Sequence, residues 1–186
     1  DRYFAGLHGS HRLNADWEAS LRLSLTQLET SVDNNLFFNL AQPSGDLERF
    51  YFNGPTTLRN YQTTFTLTGH IDTGVAKHTL LAGYDFFYLS TKFFGDNAVS
   101  APPFNIFAPT FSNPAPVFDQ GSYNGSNAET WHGVYLQDQI ELPYRLHLLA
   151  GVRYDYALGR DTQLGVTTYA EDRLSPRGGL LWQPLP

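Results

Sequence analysis

The stretch Trp17-Glu18-Ala19-Ser20-Leu21-Arg22-Leu23-Ser24-Leu25-Thr26 decides the fold. Trp17, Ala19, Leu21, Leu23 and Leu25 fall on one side of an extended chain, and Glu18, Ser20, Arg22, Ser24 and Thr26 on the other. Successive side chains of a β-strand point to opposite faces, so a period of two marks a strand with one apolar and one polar face. Tyr61 to Asp72 repeats the pattern, with Tyr61, Thr63, Phe65, Leu67 and Ile71 set against Gln62, Thr64, Thr66, Thr68, His70 and Asp72. So does Leu146 to Tyr156, where Leu148, Ala150, Val152, Tyr154 and Tyr156 alternate with residues that include Arg153 and Asp155. The alternation is looser from Tyr3 to Leu13 and from His78 to Thr91, where Leu81, Phe87 and Leu89 lie off the apolar face. Asp138 interrupts it between Trp131 and Leu142, and Pro176, which has no N–H for a ladder, interrupts it between Leu174 and Trp182.

These runs predict strands near 3–13, 17–31, 56–72, 77–93, 129–142, 145–158 and 173–184. Short turns separate them at Asn14-Ala15-Asp16, at Thr73 to Lys77 and at Pro143-Tyr144. Long loops separate them at about 32–60, 94–129 and 159–172. Short and long connections in alternation describe an antiparallel up-and-down meander with two unlike ends. In outer-membrane barrels the short turns face the periplasm and the long loops face outside.

The composition fits a membrane wall better than a soluble domain. Across 186 residues aromatics reach 15 %, with 11 Tyr and 14 Phe, while charged residues are only 16 %. Soluble domains carry roughly 25 % charged residues. No segment approaches the ~18 consecutive apolar residues of a spanning helix. A barrel, however, crosses a bilayer with every second residue polar. Aromatics near the strand ends (Tyr3, Phe4, Trp17, Tyr61, Tyr84 to Tyr88, Trp131, Tyr154, Tyr156 and Trp182) suit an interfacial girdle. There is no Cys, and the net charge of −6 with no basic run speaks against nucleic acid. With no Met and a start in mid-pattern at Asp1, residues 1–186 read as part of a longer barrel domain.

Three passages resemble the barrel of bacterial TonB-dependent siderophore receptors. The first is His78-Thr79-Leu80-Leu81-Ala82-Gly83-Tyr84-Asp85-Phe86. The second joins Gly133-Val134-Tyr135-Leu136-Gln137-Asp138-Gln139 to Leu149-Ala150-Gly151-Val152-Arg153-Tyr154-Asp155. The third is Leu174-Ser175-Pro176-Arg177-Gly178-Gly179-Leu180-Leu181-Trp182-Gln183-Pro184, and the Asn14-Ala15-Asp16-Trp17 turn agrees with all three. The resemblance implies about seven strands of a 22-stranded, plugged barrel. It also implies the bacterial outer membrane, contact with its lipid, a ferric siderophore as ligand and the TonB system as energy source. The plug and the segment that meets TonB have no counterpart in the matched passages. Receptors for cobalamin, haem or a glycan, a passive porin, and a soluble β-sandwich or lipocalin-like binder are the alternative readings.

The candidate ligand contacts are aromatic residues of the long loops: Phe37, Phe38 and Tyr51 in one, and Phe104, Phe107, Phe111, Phe118 and Tyr123 in another. Exposed rings are costly unless they pack or bind. Pro102, Pro103, Pro109, Pro114 and Pro116 stiffen the second loop, which lowers the ordering cost of binding. Arg22, Arg153, Asp155 and Arg177 fall on the predicted lumen face, either as plug contacts or, preferably, as a wall-to-wall ion network. His8 and His11 are three apart, so a strand sends them to opposite sides and they cannot share an ion. The iron is therefore expected to arrive already chelated, with no metal bound directly. No nucleophile–base spacing, phosphate-binding glycine loop or paired-carboxylate motif suggests an enzyme.

Overall fold

The computed structural model describes residues 1–38, 43–96, 100–109 and 122–184. Among them are eight strands: β1 Arg2–Arg12, β2 Trp17–Phe38, β3 Asp46–Asp72, β4 Lys77–Asp96, β5 Ser100–Asn105, β6 Ser122–Leu142, β7 Leu146–Asp161 and β8 Val166–Trp182. The sheet order is β1-β2-β3-β4-β6-β7-β8, with β5 pairing β3. Seven of the strands thus form the expected sequential meander.

Every predicted strand is present, but the long loops are much shorter than expected. β2 runs to Phe38 and β3 begins at Asp46, β6 begins at Ser122, and only a short turn separates Asp161 from Val166. The apolar alternation fades in these stretches while the backbone ladder continues, because pairing needs N–H and C=O groups and not a greasy face. Asn53-Gly54-Pro55 looks like a turn in sequence yet lies inside β3. Gly54 has φ +156°, and a Cβ there would collide with the Phe94 carbonyl, so glycine lets two backbones approach. Pro176 lies in β8 opposite Val152 without ending the β7–β8 ladder.

The chain divides into two compact units. One comprises residues 3–27, 59–90 and 127–186, with the short turns and the regular ladders. Here β6 and β7 pair without interruption from Asn127↔Asp161 to Leu142↔Leu146. β7 and β8 pair from Leu146↔Trp182 to Asp161↔Val166, with one shift at Gly159/Arg160. The other unit comprises residues 1–2, 28–58 and 91–126, and includes β5.

Side-chain oxygens close the turns. Asn14 Oδ1 accepts from the N–H of Asp16 and Trp17, both at 2.9 Å. Asp72 Oδ1 accepts from Gly74 N–H at 2.7 Å. Asp161 Oδ1 accepts from Gln163 and Leu164 N–H, both at 2.9 Å. Such caps satisfy donors that the ladder leaves free.

The Pro143–Arg145 turn has no such cap. Tyr144 and Arg145 instead sit at φ 64° and 59°, and Tyr144 is 91 % exposed. An L-residue in the left-handed region costs roughly 1–2 kcal/mol, and glycine or asparagine much less. Tyr144→Asn combined with Arg145→Gly should therefore raise the stability of the barrel by ~1 kcal/mol, read as a higher urea midpoint at unchanged slope. A lower midpoint would show that the Tyr144 ring stabilises the turn by more than its backbone strain costs.

Candidate functional site

The polar face of the first unit is built by register. Tyr135, Arg153 and Ser175 lie opposite one another on β6, β7 and β8, while Leu136, Val152 and Pro176 form the adjacent row on the other face. On β2 and β3 the polar face contains Ser20 bonded to Thr66 at 2.6 Å and Ser24 donating to Gln62 Oε1 at 3.5 Å. Arg22 lies between Ser20 and Ser24 on that face of β2 and is exposed.

Arg153 is the hub. Its Nη1 donates to Asp85 Oδ2 on β4 at 2.7 Å, and its Nε donates to Asp155 Oδ1 and Oδ2 at 2.8 and 3.0 Å. The guanidinium also lies over the Tyr135 ring, 5.4 Å from its centroid. To reach β4 from β7 the side chain must cross β6, and Gly133 makes that possible. A Cβ at Gly133 would collide with the Arg153 guanidinium and the Asp155 carboxylate. Gly83 on β4 likewise leaves room for the Tyr135 ring. Arg177 Nη1 donates to Gln137 Oε1 at 3.0 Å. Asp85, Tyr135, Gln137, Arg153, Ser175 and Arg177 line a shallow recess of about 430 Å³. Of the four charged residues singled out in sequence, Arg153 and Asp155 are thus bound into one wall network, and Arg177 adjoins it.

Sequence reading missed three features here. Asp85 is the distant partner of Arg153, 68 residues away. Trp131, 50 % exposed, packs edge-on against Phe87 with ring centroids 6.5 Å apart. Both lie at odd positions, on the polar face with Arg153 and not on the apolar face. Tyr61 and Tyr88, with centroids 5.9 Å apart, lie on the apolar face, as do Tyr84, Phe86 and His132, where Tyr84 Oη is 2.8 Å from His132 Nδ1. Finally, Asp138 interrupts the apolar row because it pairs with His78, Nδ1 to Oδ2 at 2.7 Å.

The second unit contains a compact polar joint. Asp46 and Asn105 are Cα partners in the β3–β5 ladder. Asp46 accepts from Ser44 Oγ at 2.7 Å and from Asn105 Nδ2 at 2.8 Å. Asn105 Nδ2 also donates to the Ser44 carbonyl at 3.1 Å, and Asn105 Oδ1 accepts from Phe107 and Ala108 N–H at 2.9 and 3.0 Å. Hydrogen bonds from Ser44 and then Asn105 hold the Asp46 carboxyl below its ordinary pKa.

The loop aromatics fall at various places. Phe37 and Phe38 end β2, Tyr51 lies in β3 and Tyr123 in β6, their side chains lying outside the described set. Phe104 is half-buried in β5, and Phe107 follows it, 76 % exposed. Phe111 and Phe118 lie outside the described residues. Among the described residues no group of three or more His, Cys, Asp or Glu is placed to hold a metal ion.

A family model described as TonB-dependent receptor-like, β-barrel, matches residues 1–186. Among curated proteins, the metal-pseudopaline receptor of Pseudomonas aeruginosa (strain UCBPP-PA14) is 28 % identical over 197 residues, covering 95 % of this chain and 26 % of that protein. The chain thus spans about a quarter of that relative's length. Among solved structures, the ferric preacinetobactin receptor BauA of Acinetobacter baumannii superposes with a TM-score of 0.76 at 15 % identity, covering 99 % of this chain and 28 % of that one. The siderophore receptor PiuA of the same organism gives 0.73 at 15 %, covering 99 % and 30 %. At such identities these two likenesses speak for the fold alone.

The Arg153 network generates a test within the wall. Both Arg153 and Asp85 are a third or more exposed, so their attraction is partly screened. A double-mutant cycle of Arg153→Gln and Asp85→Asn should give a coupling of ~1 kcal/mol, at the top of the range for exposed pairs. In urea titrations Gly133→Ala should cost a similar amount by pushing the guanidinium aside.

Proposed function

Because the chain belongs to the TonB-dependent receptor-like β-barrel family, an outer-membrane family of transport receptors and not enzymes, we propose that it forms part of the wall of a receptor for a ferric siderophore. The cargo binds at the extracellular loops and is admitted with energy from the TonB system. The observation that carries this reading is the division of one sheet into two chemically distinct faces. One presents Leu21, Leu23, Phe65 and Val152, all exposed. The other presents Ser20, Thr66, Asp85, Arg153 and Arg177 in hydrogen-bonded rows. A water-filled lumen on one side and lipid on the other account for both.

On this assignment Arg22, Arg153, Asp155 and Arg177 face the lumen. Arg153 already serves two carboxylates of the wall, so contact with a plug falls to Arg177 and Arg22. Phe37, Phe38, Tyr51, Phe104, Phe107, Phe111, Phe118 and Tyr123 remain the proposed ligand contacts, since aromatic rings can hold the apolar body of a chelate. The relatives named for a metal–pseudopaline complex favour a second reading of the cargo, a metal chelate not restricted to iron. The cobalamin, haem, glycan and porin readings draw no such support.

Two experiments test the proposal in the intact receptor. Removing residues 110–120, which include Phe111 and Phe118, should lower ferric-siderophore affinity a hundredfold or more while barrel assembly continues. Unchanged uptake would make that segment a spacer. For the faces, an Arg at the bilayer midplane on the lipid side costs ~2–4 kcal/mol, and one in a wet lumen far less. Leu23→Arg should therefore impair assembly into bilayers much more than Ser24→Arg, its neighbour at nearly equal depth. The reverse order would invert the faces along β2.

A further inference from the structure

Asn105 is placed to do more than pair with β3. Its amide nitrogen bonds both the Asp46 carboxylate, at the start of β3, and the Ser44 carbonyl of the β2–β3 connection. Its amide oxygen caps the N–H groups of Phe107 and Ala108, which belong to the turn after β5. One side chain therefore uses its donors on one connection and its acceptor on another. Beside it, Ile106 N–H donates to the Gly45 carbonyl at 2.9 Å. Gly45 has φ +84°, and a Cβ there would collide with the Phe107 ring. The ring therefore rests on bare backbone, yet remains 76 % exposed. The polar contacts fix the backbone of the turn on either side of this ring. A ring carried on an ordered turn costs less ordering entropy when it meets a partner.

We propose that Asn105, through Asp46, is a positioning residue that locks the turn bearing Phe107 to the β2–β3 connection and so presents Phe107 to the metal chelate. The inference rests on the metal-chelate reading above. Asp cannot donate, so Asn105→Asp keeps the caps on Phe107 and Ala108 but sets two carboxylates against each other. Asp46→Asn added to it restores one donor and one carboxylate in exchanged places. No account in which Asn105 merely fills space expects that rescue.

The test is hydrogen exchange of residues 104–109 in the intact receptor, with chelate binding measured on the same variants. Asn105→Asp should speed exchange at Ile106 at least tenfold, and the exchanged pair should recover part of the protection, since the Ser44 carbonyl still lacks its donor. Asn105→Ala should also speed exchange at Phe107 and Ala108. Binding of the iron(III) and zinc(II) complexes of pseudopaline, used as probes, should fall about tenfold in Phe107→Ala and in Asn105→Asp, and return in the exchanged pair. Exchange unaffected by Asn105→Asp, or not rescued, overturns the lock. Protection lost without loss of binding overturns the presentation of Phe107. A wild-type receptor that binds neither probe strikes the metal-chelate reading, while the exchange rates still decide the lock.

Discussion

Inter-strand backbone hydrogen bonding holds this structure, because little else can. Among the described residues only Ala76 and Ala128 are buried apolar side chains. A soluble domain draws its stability from an apolar core, and the described residues of this sheet form none. Its ladders are correspondingly long: β6 stays paired with β7 through the whole of β7. β3 has 27 residues, far more than the ~9–11 that cross a bilayer when tilted. In hydrocarbon an unpaired N–H or C=O costs several kcal/mol, so pairing is obligatory there. Where water is available the pairing continues by choice of sequence. That is why stretches that look like loops by hydropathy remain strands.

Given the ladder, side chains must find partners across strands, and glycine sets how far they reach. Arg153 could not bridge β7 to β4 over a larger residue at position 133. The same device places the Tyr135 ring over Gly83 and the Phe107 ring over Gly45. In each case a large side chain covers the glycine of a neighbouring segment, and at Gly133 this lets Arg153 reach past the nearest strand. On the polar face this yields a network that is satisfied within the wall.

Some of this was legible in the sequence. Alternation at Trp17–Thr26, Tyr61–Asp72 and Leu146–Tyr156 determined strand positions, the separation of polar from apolar residues, and the short turns between strands. The passages around Gly133, Val152 and Arg177 determined the family. These are local properties: a period of two and a turn signal need only neighbouring residues. Only the tertiary structure decided that Arg153 meets Asp85, that Asp138 meets His78, that Trp131 shares the face of Arg153, and that Asn105 meets Asp46. It also decided where strands end, since a ladder outlasts the apolar pattern that announces it. Each of these depends on register between segments far apart in the chain, and register is fixed by hydrogen bonding across strands, which no single stretch of sequence contains.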